Sequence, residues 1–183
     1  ISTKNARKRE MILVEGYMDM ISVYQAGFRN VAASLGTAFN QEHAKVLKKY
    51  ADSVILLYDS DDAGTMAAQR AITVLVQNGF QVKVLQVPDG KDPDEFIKQN
   101  GAQAFSQLLA KAVHYITFQI QCLKKKYDLN EMTQKVAFTT QAAEILAKLE
   151  NDIEKAVYIT EISRMTGIAQ SAIESETTKI RQK

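Results

Sequence analysis

The chain has one cysteine, no tryptophan and only two prolines. A single thiol, Cys122, excludes an intrachain disulfide and fits a reducing compartment. No Cys-x-x-Cys or His-x-x-x-His spacing offers a zinc site. A thiol nucleophile needs a histidine beside it, and spacing places neither His43 nor His114 there. A small, buried, apolar Cys122 is the expected role. No apolar run approaches the roughly 18 residues of a membrane helix. The first nine residues are basic without an apolar stretch, so no signal peptide is expected. Beginning at Ile1 rather than Met, the chain reads as a piece of a longer one. Scarce proline, with eight glycines in 183 residues, argues against disorder. The 46% apolar and 24% charged content is that of an ordinary globular protein of one domain or two small ones.

Charge of one sign is missing from particular segments. Residues 1–9 carry four positive charges (Lys4, Arg7, Lys8, Arg9) and no negative one. Residues 10–105 hold 8 Lys and Arg against 12 Asp and Glu, whereas 106–183 hold 11 against 9. An acidic centre is ill suited to gripping nucleic acid through its phosphates directly. It suits contact through bound cations, which invert the local electrostatics.

The chain is organised around Val54-Ile55-Leu56-Leu57-Tyr58-Asp59-Ser60-Asp61-Asp62-Ala63-Gly64. An apolar run long enough for one buried strand ends in three aspartates over four positions. Ala68, Ile72, Leu75 and Val76 then recur at helical spacing. Carboxylates at the carboxyl end of a buried strand stand where open α/β sheets place ligands. Asp59 and Asp61, two apart in an extended segment, leave on one side. Such a pair is how proteins hold Mg²⁺, although Asp61 or Asp62 could equally cap the following helix.

Short strands are expected at 11–14, 31–33, 54–58 and 81–87. Helices are expected at about 18–26, 41–49, 63–78 and 95–99. That alternation means α/β: about four parallel strands with helices on both faces. From Phe105 to Leu123 apolar residues hold helical spacing for some five turns. Further helices follow from Asn130, from Asn151 or Asp152, and beyond Gly167. The expected division is therefore 1–9, the end of an upstream basic subdomain; 10–103, the α/β domain; and 104–183, an all-helical subdomain. Glu161 to Ile173 has the turn glycine and apolar spacing of a helix-turn-helix. Its second helix, however, offers Gln170, Ser171, Glu174 and Glu176 with no basic residue before Lys179, a face that repels phosphate. Packing is the better reading. Lys124-Lys125-Lys126 reads as a solvated helix end.

Glu15, Asp59, Asp61, Asp92 and Asp94 all follow strands, so a parallel sheet brings their loops to one edge. Each alone is an ordinary strand end, cap or turn residue. Together they need cations or protons to offset them, since two unit charges ~4 Å apart repel by roughly 4 kcal/mol at an effective dielectric near 20, and divalent metals are the economical answer. With a divalent metal bound, a phosphodiester or nucleoside triphosphate is the natural substrate.

Glu15-Gly16-Tyr17-Met18-Asp19, Ser34-Leu35-Gly36-Thr37, Tyr58-Asp59-Ser60-Asp61-Asp62-Ala63-Gly64 and Asp92-Pro93-Asp94 resemble the Toprim domain of bacterial replicative DNA primases. Order and spacing match over about 10–105, and the helical tail is similar to the part that follows Toprim in the primase RNA-polymerase core. The resemblance implies a DNA-directed RNA polymerase making short RNA primers on single-stranded DNA from nucleoside triphosphates in the bacterial cytoplasm. It implies Mg²⁺ or Mn²⁺ on Glu15, Asp59, Asp61 and Asp92, with Asp94 and Asp19 at further acidic positions of the family. Glu15, Asp59 and Asp61 would be catalytic, Glu15 as a metal bridge or as the proton acceptor. Lys4, Arg7, Lys8 and Arg9 would touch nucleic acid. Ser60 stands where many members have Gly, and Asp62 where many have a basic residue. The Zn²⁺-binding domain, the basic subdomain before Toprim and the helicase-binding domain would lie outside this chain, and because template grip would lie upstream the chain alone is expected to have little or no activity. The alternatives are another Toprim enzyme, a topoisomerase or nuclease, and a phospho-receiver-like α/β module with Asp59 as acceptor. The receiver reading lacks the second acidic residue beside Glu15 and the fifth strand with its lysine.

Overall fold

The computed structural model describes residues 9–34, 38–88 and 92–182. Lys4, Arg7 and Lys8 lie outside them. The described chain divides into two compact units, 1–115 and 116–183.

The first unit is built on a five-stranded sheet of order β2-β1-β3-β4-β5. Its strands are β1 (Glu10–Val14), β2 (Val31–Ala33), β3 (Ser53–Leu57), β4 (Gln81–Leu85) and β5 (Val113–His114). The first four run parallel, and β5 pairs antiparallel with β4. Register aligns the carboxyl ends. Val14 pairs with Ala33 and Leu57, and Leu57 with Leu85. The loops after β1, β2, β3 and β4 therefore leave at one height. After β1 the chain builds outward to β2, then returns to add β3 and β4 on the other side. The switch lies between β1 and β3, the crevice where such sheets bind ligands.

Strands and helices form for separable reasons. β3 is buried at every position, as a central parallel strand covered on both faces must be. On one face Ile12, Val14, Ile55, Leu57 and Leu85 pack with Val23 of α1 (Tyr17–Gln25) and with Phe105 and Leu108 of α4 (Pro93–Leu109). The alternate residues Leu13, Leu56 and Val84 point the other way and are buried too. α2 (Gln41–Lys48) and α3 (Asp62–Gln77), which pack on each other, supply buried Ala44, Leu47, Ala68, Ile72 and Leu75. Asn40 starts α2 by accepting from the backbone N–H of Glu42 and His43, both at 3.0 Å.

The α/β reading with a helical appendage holds, with three corrections. The sheet has a fifth strand, β5, inside the stretch expected to be all-helical. Apolar spacing from Phe105 to Leu123 is not one helix, because α4 ends at Leu109 and α5 (Tyr115–Lys124) begins after β5. The short helix expected to close at Gly101 instead bends there: Gly101 has φ 79°, a conformation only glycine adopts cheaply, and α4 resumes beyond it.

In the second unit, α6 (Met132–Leu146), α7 (Asp152–Thr166) and α8 (Gln170–Arg181) follow α5. Glu131 caps α6 through the N–H groups of Thr133 and Gln134, and Asn151 caps α7 through Ile153 and Glu154. Gly167 closes α7 in the left-handed region at φ 74°. Phe138, Leu146, Ile162 and Ile173 are buried almost completely. The α7-turn-α8 segment is thus a packed hairpin, with Ile173 of its second helix in the core. Cys122 is a buried thiol outside any disulfide, as expected of a small apolar side chain.

Candidate metal centre

Glu15 follows β1 directly, and Asp59 lies two residues beyond β3, the neighbouring strand. Burial pushes the Glu15 carboxyl above its usual range, Asp59 and Asp61 push it further, and Arg70 opposes them. Asp59 is raised in the same direction, first by desolvation and then by Asp61 and Asp92. Asp19, in the first turn of α1, is pushed up to about 6 by burial, then by Asp92 and Asp59. Glu15, Asp19, Asp59, Asp61 and Asp92 therefore form one mutually repelling set at the switch-point edge. Asp19 is steadied by the backbone N–H groups of Asp94 and Gly16.

Two of these carboxylates are also helix caps, so cap and cluster member are not rival roles. Asp61 Oδ1 accepts from Gly64 N–H at 2.6 Å and starts α3. Asp92 Oδ1 accepts from Glu95 N–H at 2.6 Å and starts α4, with Pro93 in its first turn. Each leaves a second oxygen uncommitted to its cap.

Asp94 is placed differently. It accepts from the Ser22 hydroxyl of α1 and, through Oδ2, from Lys98 Nζ at 2.6 Å. These partners hold its carboxyl below the usual range, Lys98 foremost. Arg9 is engaged as well: its guanidinium spans Asp52 at 3.2 and 3.3 Å and donates to the Lys49 carbonyl at 2.8 Å.

The donor set is hard oxygen, as Mg²⁺ and Mn²⁺ prefer. Glu15 Oε2 is buried without a hydrogen-bond partner among the described residues, an arrangement native proteins rarely leave uncompensated. Among those residues no three acidic, His or Cys side chains stand close enough to make a closed cage. That fits an open cation, which keeps several waters and takes the rest of its shell from one or two carboxylates and substrate phosphate. The residues present fit such an ion.

The sequence reading included Tyr58 without a role for its hydroxyl, and it missed Arg70. Tyr58 donates to Ser34 Oγ at 3.3 Å, and Ser34 donates to the Glu15 carbonyl at 3.4 Å. Arg70 projects from α3 toward the same edge, where it lines a cavity with Glu15, Ser34 and Tyr58. Its signal in the sequence was small residues at Gly64, Ala67, Ala68 and Ala71. They let α3 approach the strand ends closely and carry Arg70 there.

A Toprim-like family model matches residues 12–97, and a model described as the DnaB-helicase binding domain of primase matches 116–171. The chain is 42% identical over 172 residues to a DNA primase of Clostridium acetobutylicum, covering 94% of this chain and 29% of that protein. It is 38% identical over 159 residues to a DNA primase of Listeria innocua, covering 86% and 25%. The chain thus spans under a third of these curated relatives. Among solved structures, a DNA primase domain from Pseudomonas aeruginosa superposes with TM-score 0.76 at 31% identity, over 98% of this chain and 56% of that one. A DnaG primase catalytic domain bound to single-stranded DNA gives 0.76 at 28% identity, over 92% and 54%. Coverage of that extent includes helices of the second unit, so the tail is similar to part of a catalytic core. The helicase-binding match places a segment of that description within the chain, where the sequence reading had put it outside.

Proposed function

The chain belongs to the bacterial DnaG-type DNA primases, and on that premise we propose that its first unit carries the metal-dependent nucleotidyl-transfer site of RNA primer synthesis. The supporting observation is the convergence of Glu15, Asp19, Asp59, Asp61 and Asp92 on one sheet edge, where burial and neighbouring carboxylates raise Glu15, Asp19 and Asp59. Glu15, Asp59, Asp61 and Asp92 would hold Mg²⁺ or Mn²⁺, with Asp19 beside them. Asp94, whose carboxylate is spent on Ser22 and Lys98, anchors α1 to α4 in this reading instead of binding the ion. When bound, a divalent cation supplies charge stabilisation at the transferring phosphoryl group and its leaving pyrophosphate.

This chain's own residues do the rest. Asp61 and Asp92 aim their free oxygens from fixed helix ends. Glu15, whose Oε2 is buried without a hydrogen-bond partner among the described residues, accepts the proton of the attacking 3′-hydroxyl. The substrates are nucleoside triphosphates and a primer 3′ end on a single-stranded DNA template. Template grip would need basic surface that the described acidic edge does not offer, so the chain alone makes little primer. The second unit faces the replicative helicase, a reading that rests on the family match over 116–171. The relatives and solved structures named above do not favour a topoisomerase, a nuclease or a receiver module.

Calorimetric titration with Mn²⁺ tests the site. Asp59→Asn and Asp61→Asn should each weaken binding by roughly tenfold or more. Unchanged affinity in both would remove the assignment.

A further inference from the structure

Cation binding leaves one part of this edge unexplained. On the β2 side of Glu15 lies a cavity of about 200 Å³ whose polar wall is Glu15, Ser34, Tyr58 and Arg70. Phe39 with Ala38 and Ala67 completes it with apolar surface. Tyr58 and Ser34 are themselves buried, at 4% and 8% exposure, and joined by their hydroxyls. A volume below the roughly 300 Å³ of ordinary small-molecule pockets admits part of a nucleotide and not all of it.

The wall chemistry selects which part. A phosphate would meet the Glu15 carboxylate, and a simple cation would meet the Arg70 guanidinium. A base would need a larger and flatter slot. A neutral group that both donates and accepts satisfies every member. A hydroxyl donates to Glu15, accepts from Arg70, which has donors only, and does either with Tyr58 and Ser34. Two hydroxyls on adjacent carbons can reach carboxylate and guanidinium together. A carboxylate receiving ribose hydroxyls is also how dinucleotide sites recognise that sugar. Phe39 and the alanines suit the C–H face of the ring.

We propose that this cavity takes the 2′,3′-hydroxyl edge of a ribose, with Glu15 as acceptor and Arg70 and Tyr58 as the residues that tell ribonucleotide from deoxyribonucleotide. The inference rests on the reading above, in which the neighbouring carboxylates take nucleotide phosphate through a cation. Glu15 then serves both neighbours, with the sugar on one side and the ion on the other. The sugar belongs to the incoming nucleotide or to the 3′ end of a bound RNA, and the two are distinguished by the ligand used.

The test is equilibrium binding to this chain in Mn²⁺. One arm compares ATP with 2′-deoxy- and 2′,3′-dideoxy-ATP. The other compares a short RNA with the same RNA ending in a 2′,3′-dideoxy residue. A preference of roughly tenfold for the hydroxylated ligand is expected in one arm, and that arm identifies the source of the sugar. Arg70→Gln and Tyr58→Phe should bring the preference to within about twofold while Mn²⁺-dependent binding persists. Equal binding in both arms of the wild-type chain, with Mn²⁺-dependent affinity intact, overturns the proposal and spares the metal site. So does a preference that survives both substitutions. Loss of all Mn²⁺-dependent nucleotide binding in the wild type removes the metal reading and the sugar site together.

Discussion

The backbone carbonyl of Asp59 occupies the space where a side chain on Gly64 would begin. A Cβ at residue 64 would stand 2.9 Å from both the carbonyl carbon and the Cβ of Asp59, and closer still to the carbonyl oxygen. All but one of those atoms are main chain, so no rotamer relieves the contact. The glycine is therefore what lets α3 start hard against the end of β3, with Asp61 turned back onto the Gly64 N–H.

Gly64→Ala should consequently cost roughly 1–3 kcal/mol or more, the range of overpacking a rigid site. Urea denaturation reads the loss. Mn²⁺ affinity should fall with it, because the β3–α3 turn that aims Asp59 and Asp61 must open. Unaltered stability would mean that the turn yields freely.

Stability of the metal-free protein should depend on pH in an unusual direction. An aspartate in the unfolded chain titrates near 3.9, whereas Asp19 in the fold is pushed up to about 6. Between those values the folded state holds a proton that the unfolded state has lost, so stability falls as pH rises through the window and levels off above it. The full shift would be worth roughly 3 kcal/mol; discounted for a half-exposed group, about 1 kcal/mol remains. Thermal melts from pH 4 to 6.5 should then drop by about 2–4 °C. Asp19→Asn should flatten the slope. Mn²⁺ at pH 7 should restore the lost degrees by offsetting the repulsion.

Asp94 and Asp61 should part company in the same titrations. Asp94→Asn removes the partner of Ser22 and Lys98 yet leaves the acidic edge intact, so Mn²⁺ affinity should stay within about twofold of wild type. Asp61→Asn should weaken it by roughly tenfold. A loss for Asp94→Asn as large as that for Asp61→Asn would make Asp94 a ligand after all.

Phe105 ties the far end of α4 to the sheet. It is 0% exposed, meets Phe28 edge-on at 5.1 Å between ring centres, and packs among Val14, Leu57 and Leu108. Phe105→Ala should cost about 3–5 kcal/mol. Guanidinium unfolding monitored separately on the two units should assign that loss to the first.

Much of this arrangement was legible in the residues, for identifiable reasons. Val54 to Leu57 reads as a buried strand because a central parallel strand has no solvent face to vary. Asn40, Asn151 and Gly167 mark helix ends because their side-chain oxygen, or the lack of a Cβ, performs the local task. Phe105 was assigned to the helical tail because periodicity identifies a buried face without saying which core receives it. Val113-His114 was missed because two residues of strand carry no alternation, and only the neighbouring β4 gives them a partner. In the site, converging carboxylates follow from strand order alone. Arg70 and Tyr58 required knowing how closely α3 approaches the sheet, a distance set by packing that motif spacing does not record.

The double duty of Asp61 and Asp92 has a practical outcome. Each holds its helix by a carbonyl-like oxygen that asparagine also possesses, and each presents its anionic character through the other. Replacing a single atom, oxygen by nitrogen, therefore strips the charge and spares the scaffold. Architecture and ion affinity in this edge can be taken apart one position at a time, without first unravelling the fold that carries them.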